Sequence, residues 1–201
     1  MIKLGYTSNV KKKKRSKKPK PYVQMTFPGE RIQVDVKIVP SKCIIGNFKL
    51  YQYTAIDEFS RVRYLQMYGE KSTYNSYKFV KELIEYYPFK IYQIRTDNGP
   101  EFTKRLISKD SNNLTMMEHY LKKMAIAHDL IKPYTPKHNG KVERSHQKDN
   151  ERFYSSRSFY SLEDARLQLR RYLNEYNNFP MQPLKWKSPN EYLRDYLSKL
   201  K

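Results

Sequence analysis

From Gly29 onward, apolar and polar positions alternate. Ile32, Val34, Val36 and Ile38 are aliphatic, and Gln33, Asp35 and Lys37 between them are polar. A period of two predicts a strand, with Asp35 on the face opposite the aliphatics. Two further runs, Lys49 to Ile56 and Val62 to Met67, are rich in Tyr, Val and other aliphatics. The short link Asp57-Glu58-Phe59-Ser60-Arg61 suits a hairpin, so the three runs predict an antiparallel meander. Thr73 to Tyr87 then reads as a helix, with Tyr77, Val80, Leu83, Ile84 and Tyr87 on one stripe. Ser72 or Thr73 caps it and Pro88 ends it. Ile91 to Arg95 predicts a fourth strand, reached by a parallel crossover. Met116 to Met124 predicts a second helix. Ala127 to Ile131 predicts a short fifth strand, stopped by Lys132-Pro133-Tyr134-Thr135-Pro136. A third helix begins near Asn139 or Gly140 and runs to about Tyr154. The fourth starts at the Ser161 cap, runs to about Tyr176 and aligns Leu162, Ala165, Leu169, Tyr172 and Leu173. Ser188, Pro189 and Glu191 open a last short helix as cap, first-turn proline and capping-box acid.

Three antiparallel strands, a helix, a parallel strand and more helices is the order of an α/β ribonuclease-H-like fold, a mixed five-stranded sheet with flanking helices. In that order the first and fourth strands are neighbours, so Asp35 and Asp97 converge. Glu143, near the start of the third helix, then faces them. Hard divalent cations take oxygen ligands, and phosphate-ester chemistry on nucleic acids often uses two of them held by carboxylates. Each acid also has an ordinary reading: a solvent-facing strand residue, a turn former before Asn98-Gly99 and an exposed helix residue. Their joint placement favours a metal triad. Glu101 is a rival ligand, weighed as a local cap or DNA contact. Asp57 reads as a turn residue that can also approach the end of the first strand.

Composition narrows the partner. The chain has 201 residues, enough for one domain with a real core plus a small extension. Lys and Arg number 40 against 20 Asp and Glu, a net charge of +20 that points to a polyanion. Residues 1–25 read as a basic linker, expected to be disordered, centred on Lys11, Lys12, Lys13, Lys14 and Arg15, which would contact phosphates without reading sequence. No apolar stretch behind it is long enough for a signal peptide or a span, so no membrane role is expected and cytoplasm is the default. Cys43 is the only cysteine, which excludes internal disulfides and thiolate zinc sites. His119, His128, His138 and His146 lack zinc-finger spacing.

Three motifs in the right order resemble the integrase catalytic core of retroviral integrases and bacterial insertion-sequence transposases. They are Gln33 to Val36, Arg95 to Phe102, and Pro133 to Arg144 with its Tyr134-Thr135-Pro136-Lys137-His138-Asn139-Gly140 approach. The resemblance covers about residues 26 to 195. The Pro-rich approach and Ser188-Pro189-Asn190-Glu191-Tyr192 are more similar to the bacterial transposases. It implies that Asp35, Asp97 and Glu143 are both catalytic residues and metal ligands, holding two Mg²⁺ or Mn²⁺ ions. One ion activates the attacking oxygen and the other stabilises the leaving one. Residues 26–158 would be the core and 159–201 its C-terminal helical extension. The interval between Asp97 and Glu143 is longer than is usual in relatives, where the count lands on Pro133. The polar stretch Ser108 to Asn113 reads as the inserted loop that makes up the difference.

The implied reaction is cleavage at the ends of a mobile element followed by strand transfer into target DNA, that is, transposition by DNA recombination. The implied partners are element ends and target DNA, a homo-oligomer on DNA, and a separate DNA-recognition domain or polypeptide. The location is the bacterial cytoplasm, at the nucleoid. Lys141, Arg144, Gln147, Lys148 and Asn150 are candidate DNA contacts beside Glu143, with Gln147 and Asn150 on its helical face. Arg144 and Lys148 suit phosphates, His138 reads as an ordinary loop histidine, and Trp186 and the tyrosines as packing with some base stacking. Two other classes remain: a non-catalytic, truncated DNA-binding transposase remnant, and a ribonuclease-H-like nuclease. Only about 25 residues precede the core, so binding with little sequence preference is expected.

Overall fold

The computed structural model describes residues 24–105, 113–131 and 140–200. The basic run Lys11 to Arg15, most of the Ser108 to Asn113 stretch and the approach from Lys132 to Asn139, His138 included, lie outside these residues.

The five strands are β1 (Ile32–Ile38), β2 (Tyr51–Asp57), β3 (Arg63–Tyr68), β4 (Gln93–Thr96) and β5 (Ala127–Leu130). They form one mixed sheet in the order β3-β2-β1-β4-β5. β1 pairs antiparallel with β2 and β2 with β3, as the meander requires. β1 pairs parallel with β4 and β4 with β5. The helices are α1 (Thr73–Tyr86), α2 (Met116–Lys123), α3 (Gly140–Asp149), α4 (Leu162–Asn178) and α5 (Pro189–Ser198).

Local chemistry explains the boundaries. Ser72 Oγ accepts the Asn75 N–H to open α1, and Pro88 forces Tyr87 into an extended conformation that closes it. The inward face of α1 is Ser76, Phe79, Val80 and Leu83. Tyr77 and Ile84, expected on the stripe, are only half-buried, because Phe79 occupies its centre. Thr115 and Glu118 form a capping box at α2, and Ser188 and Glu191 form another at α5. Ser161 caps α4 through the Asp164 N–H.

Two departures from the sequence expectation have physical causes. Ile38, at the end of the β1 alternation, is 59 % exposed, since the parallel register with β4 covers only the beginning of β1. The third helix also does not run as a regular α-helix to Tyr154. It ends at Asp149, and Asn150–Tyr154 continue as a wide π-helical turn. The wider turn lets Asp149, Phe153 and Tyr154 all face inward.

The core lies on both sheet faces. Ile32, Val34, Ala55 and Ile94 meet Phe79, Val80, Leu83, Met117 and Leu121 from α1 and α2, with Leu193 of α5 at the edge. On the other face, Leu50, Leu65 and Met67 meet Phe153, Phe159, Ala165, Leu169 and Leu173. Gly29 closes the end near β1: its φ of +81° and its contact with the Lys90 carbonyl leave no room for a side chain. Its N–H donates to Asp57, which also takes the Ser60 N–H and hydroxyl. Asp57 is therefore a buried turn residue and stands clear of the site below. No helix among the described residues is long and apolar enough to cross a membrane.

Candidate active site

The polar face of β1 and one face of α3 meet as a ladder. Gln33 Oε1 accepts the Val142 N–H at 3.1 Å, Asp35 Oδ2 accepts from His146 Nε2 at 3.1 Å, and Lys37 Nζ donates to Asn150 Oδ1 at 2.6 Å. Strand residues two apart advance about 6.6 Å and helix residues four apart about 6 Å, so the rungs stay in step. The start of α3 is tied down separately, where Lys141 Nζ donates to the Glu58 carbonyl at 2.7 Å. Glu58 also binds the Arg31 guanidinium with both carboxylate oxygens. Burial and the nearby Arg61 lower Lys141 to about 8.

Beneath the ladder is a buried polar cluster. Arg63 grips Asp149 with two bonds of 2.9 and 2.7 Å. Gln52 donates to the same carboxylate at 2.8 Å, and the Tyr172 hydroxyl at 2.9 Å. The Tyr154 hydroxyl bonds Gln52 in turn. Burial alone would raise the Asp149 pKa, but Arg63, His146 and Gln52 together hold it well below the usual carboxylate range. His146 lies between this cluster and Asp35, its Nδ1 3.8 Å from Asp149. Burial would lower the imidazolium pKa, and the bonds and charges of Asp149 and Asp35 outweigh it, so the pKa is raised.

Asp97 follows β4. Gln33 of β1 pairs with Arg95 of β4, so Asp35 and Asp97 each stand two residues further along neighbouring parallel strands. Asp97 Oδ1 accepts the Gly99 N–H at 2.9 Å. Partial desolvation of its carboxyl pushes the pKa up; the Gly99 N–H opposes this, Asp35 and Glu101 add to it and Lys71 subtracts. The loop is held from below by buried Phe102. Asn98 donates to the Ile131 carbonyl, and Thr96 Oγ1 pairs with His128. Glu101, read from sequence as a cap or DNA contact, is instead buried against Lys71 at 2.8 Å. A Cβ at Gly99 would stand 2.5 Å from the Glu101 carboxylate, which would have to shift to admit it.

Glu143 is exposed in the first turn of α3, three residues before His146. Among the described residues no trio of His, Cys, Asp or Glu is gathered closely enough to hold a metal ion. The structure thus sets Asp35 and Asp97 level on neighbouring parallel strands and leaves Glu143 exposed on the first turn of a helix that docks against Asp35 through His146. Of the candidate DNA contacts, Arg144 and Gln147 are exposed, Lys148 is exposed and pairs with Glu151, and Asn150 is taken by Lys37. Lys141 is largely withdrawn from solvent against Glu58, so it anchors the helix.

Sequence reasoning passed over His146, Asp149, Arg63 and Lys71. His146 had a usable signal, one turn after Glu143 on the same helix, which its lack of zinc-finger spacing does not reveal. Arg63 and Asp149 had none, because nothing local distinguishes a buried charge from an exposed one.

Comparison with known proteins agrees with this fold. Residues 26–136 match the integrase core domain model, and residues 124–189 match a second model of the same description. The "Putative integrase ORF3" of Spiroplasma virus SpV1-C74 is 38% identical over 125 residues, 58% of this chain and 34% of that protein. The chain therefore spans about a third of that curated relative's length. Among solved structures, a simian T-cell lymphotropic virus intasome in complex with PP2A regulatory subunit B56 gamma superposes with a TM-score of 0.66 at 19% identity, over 85% of this chain and 56% of that one. The catalytic core domain of BIV integrase gives 0.60 at 21% identity, over 86% and 99%. The HTLV-2 integrase catalytic core domain in complex with magnesium gives 0.60 at 19%, over 83% and 97%. These structural likenesses carry the ribonuclease-H-like fold, while the family model spans more than half of the sequence. The chain belongs to the integrase core domain family.

Proposed function

We propose that this chain is a DNA phosphoryl transferase, the catalytic part of a transposase or integrase that cleaves element ends and transfers them into target DNA. The observation that carries the reading is the level placement of Asp35 and Asp97 on neighbouring parallel strands, with the helix of Glu143 docked against Asp35. The donor set fits a hard divalent cation, since every candidate ligand is a carboxylate and Asp35 and Asp97 stand level on neighbouring parallel strands. Asp35, Asp97 and Glu143 would hold Mg²⁺ or Mn²⁺. Bound there, such ions supply Lewis-acid activation of the attacking and leaving oxygens of an in-line displacement.

This chain's own residues do the rest. The β1–α3 ladder orients Asp35, the pinned loop from Thr96 to Thr103 orients Asp97, and exposed Arg144, Gln147 and Lys148 line the approach for the phosphate backbone. The basic segment from Lys11 to Arg15 adds salt-dependent, sequence-tolerant attraction. Residues 26–158 serve as the core and 159–201 as its helical extension, working as a homo-oligomer on DNA at the bacterial nucleoid, with end recognition supplied by another domain or polypeptide.

A metal-dependent nicking and strand-transfer assay on linear DNA tests this, with Asp97→Asn as control. Activity with Mg²⁺ or Mn²⁺ that disappears in the variant, at unchanged melting temperature and DNA affinity, is the expected result. Near-normal turnover of Asp97→Asn removes Asp97 from the site. The second reading, a DNA-binding remnant, draws on one observation: among the described residues Asp35, Asp97 and Glu143 do not gather into a three-ligand group. DNA binding retained with no activity under either metal would favour it.

A further inference from the structure

We propose that His146 is a positioning residue, fixing the Asp35 carboxylate to the buried Arg63–Asp149 pair and so setting the geometry with which Asp35 meets a cation. The inference rests on Asp35 being a metal ligand. It adds a residue that neither the three motifs quoted from the sequence nor the acidic triad includes.

Both oxygens of Asp35 are already oriented. Oδ1 accepts the Val36 N–H at 2.9 Å, and Oδ2 accepts from His146 Nε2 at 3.1 Å. A carboxylate has about four lone-pair positions, so these two bonds leave about two for a further ligand. The backbone bond to Oδ1 alone leaves the plane of the carboxylate free to turn. The bond to Oδ2 removes that freedom. It is only as firm as the imidazole, and the imidazole is held from behind. Its side chain is 13% exposed, and its Nδ1 is buried without a hydrogen bond, facing an Asp149 oxygen at ion-pair distance, 3.8 Å.

Asp149 cannot yield, because it is fully buried and carries two bonds from Arg63, one from Gln52 and one from Tyr172. A histidine serving only to pack would have no need of a carboxylate on each side. The arrangement has the form of an outer-shell partner that orients a ligand, and such partners are commonly worth about 10- to 100-fold in metal affinity.

The ring atom in use decides the test. The amide nitrogen of Gln falls near the position of histidine Nε2, whereas that of Asn falls near Nδ1. The full chain carrying His146→Ala, His146→Gln or His146→Asn is titrated with Mn²⁺ and followed by electron paramagnetic resonance, with Asp35→Asn alongside and thermal melts of each. The expected result is that His146→Ala weakens Mn²⁺ binding by about 10- to 100-fold and broadens the bound spectrum. His146→Gln should restore the affinity to within a few fold, and His146→Asn should not. Wild-type affinity in His146→Ala overturns the inference, as does an equal loss in all three variants that tracks lowered melting temperatures. If Asp35→Asn binds Mn²⁺ like the wild type, or the wild type takes up none, the reading of Asp35 as a ligand fails first. That outcome is distinct from loss in Asp35→Asn without loss in His146→Ala, which overturns the role of His146 alone.

Discussion

The two faces of the sheet are built on opposite principles. Under α1 and α2 the packing is hydrocarbon and aromatic: Ile32, Val34, Ala55 and Ile94 against Phe79, Val80 and Leu83. Under α3 and α4 a comparable apolar cluster surrounds an ion pair, Arg63 with Asp149, whose side chains are fully buried. The first face gains from every buried atom and demands little direction, because apolar contact is non-directional. The second carries the desolvation cost of two charges and is satisfied only in one arrangement of Gln52, Tyr154, Tyr172 and His146. The face that carries direction is the one that touches Asp35. The apolar face makes the sheet, and the polar face aims a carboxylate.

Stability measurements can break this contrast. Arg63→Met or Asp149→Leu alone should each cost about 3–5 kcal/mol in urea unfolding, since each leaves a buried charge without its partner. The double variant Arg63→Met/Asp149→Leu should recover most of that loss. Phe79→Ala should cost a similar amount, about 3–5 kcal/mol, and no second substitution should rescue it short of refilling the cavity. A double variant no more stable than the singles would mean that the second face relies on its charges as the first relies on its hydrocarbon.

Acid sharpens the contrast further. The folded-state pKa of Asp149 lies below its ordinary 3.8, so the unfolded chain binds the proton first as pH falls. Its stabilising contribution is complete above about pH 5 and is lost as pH drops through 3.8 toward the folded value. Urea midpoints of the wild type and of Phe79→Ala should fall in parallel over that range. Those of the double variant should fall less, and equal slopes would remove Asp149 from the acid limb.

The smallest effect belongs to the edge of the apolar face. Ser188→Ala removes the cap of α5 and should cost about 1 kcal/mol. Mn²⁺ affinity should be unchanged, because nothing on the polar face touches that cap. A matching loss of metal binding would mean that the two faces are coupled through the sheet.

Much of this was legible in the chain itself. Alternation at Ile32 to Lys37 placed Asp35 on the polar face of a strand, and Ser72, Ser161 and Ser188 marked helix starts that their side-chain bonds bear out. Periodicity and capping are properties of a few neighbouring residues, so sequence alone determines them, and with them the order of strands and helices. Other features were decided only by the tertiary fold. Arg63 and Asp149 are 86 residues apart and look like ordinary surface charges until the sheet and α3 enclose them. Lys141 resembles a DNA contact until Glu58 takes it, Glu101 a cap or DNA contact until Lys71 does, and His146 a stray histidine until Asp35 and Asp149 stand on either side. Burial and partner choice depend on which distant segment arrives alongside, and that information resides in no local window of the sequence.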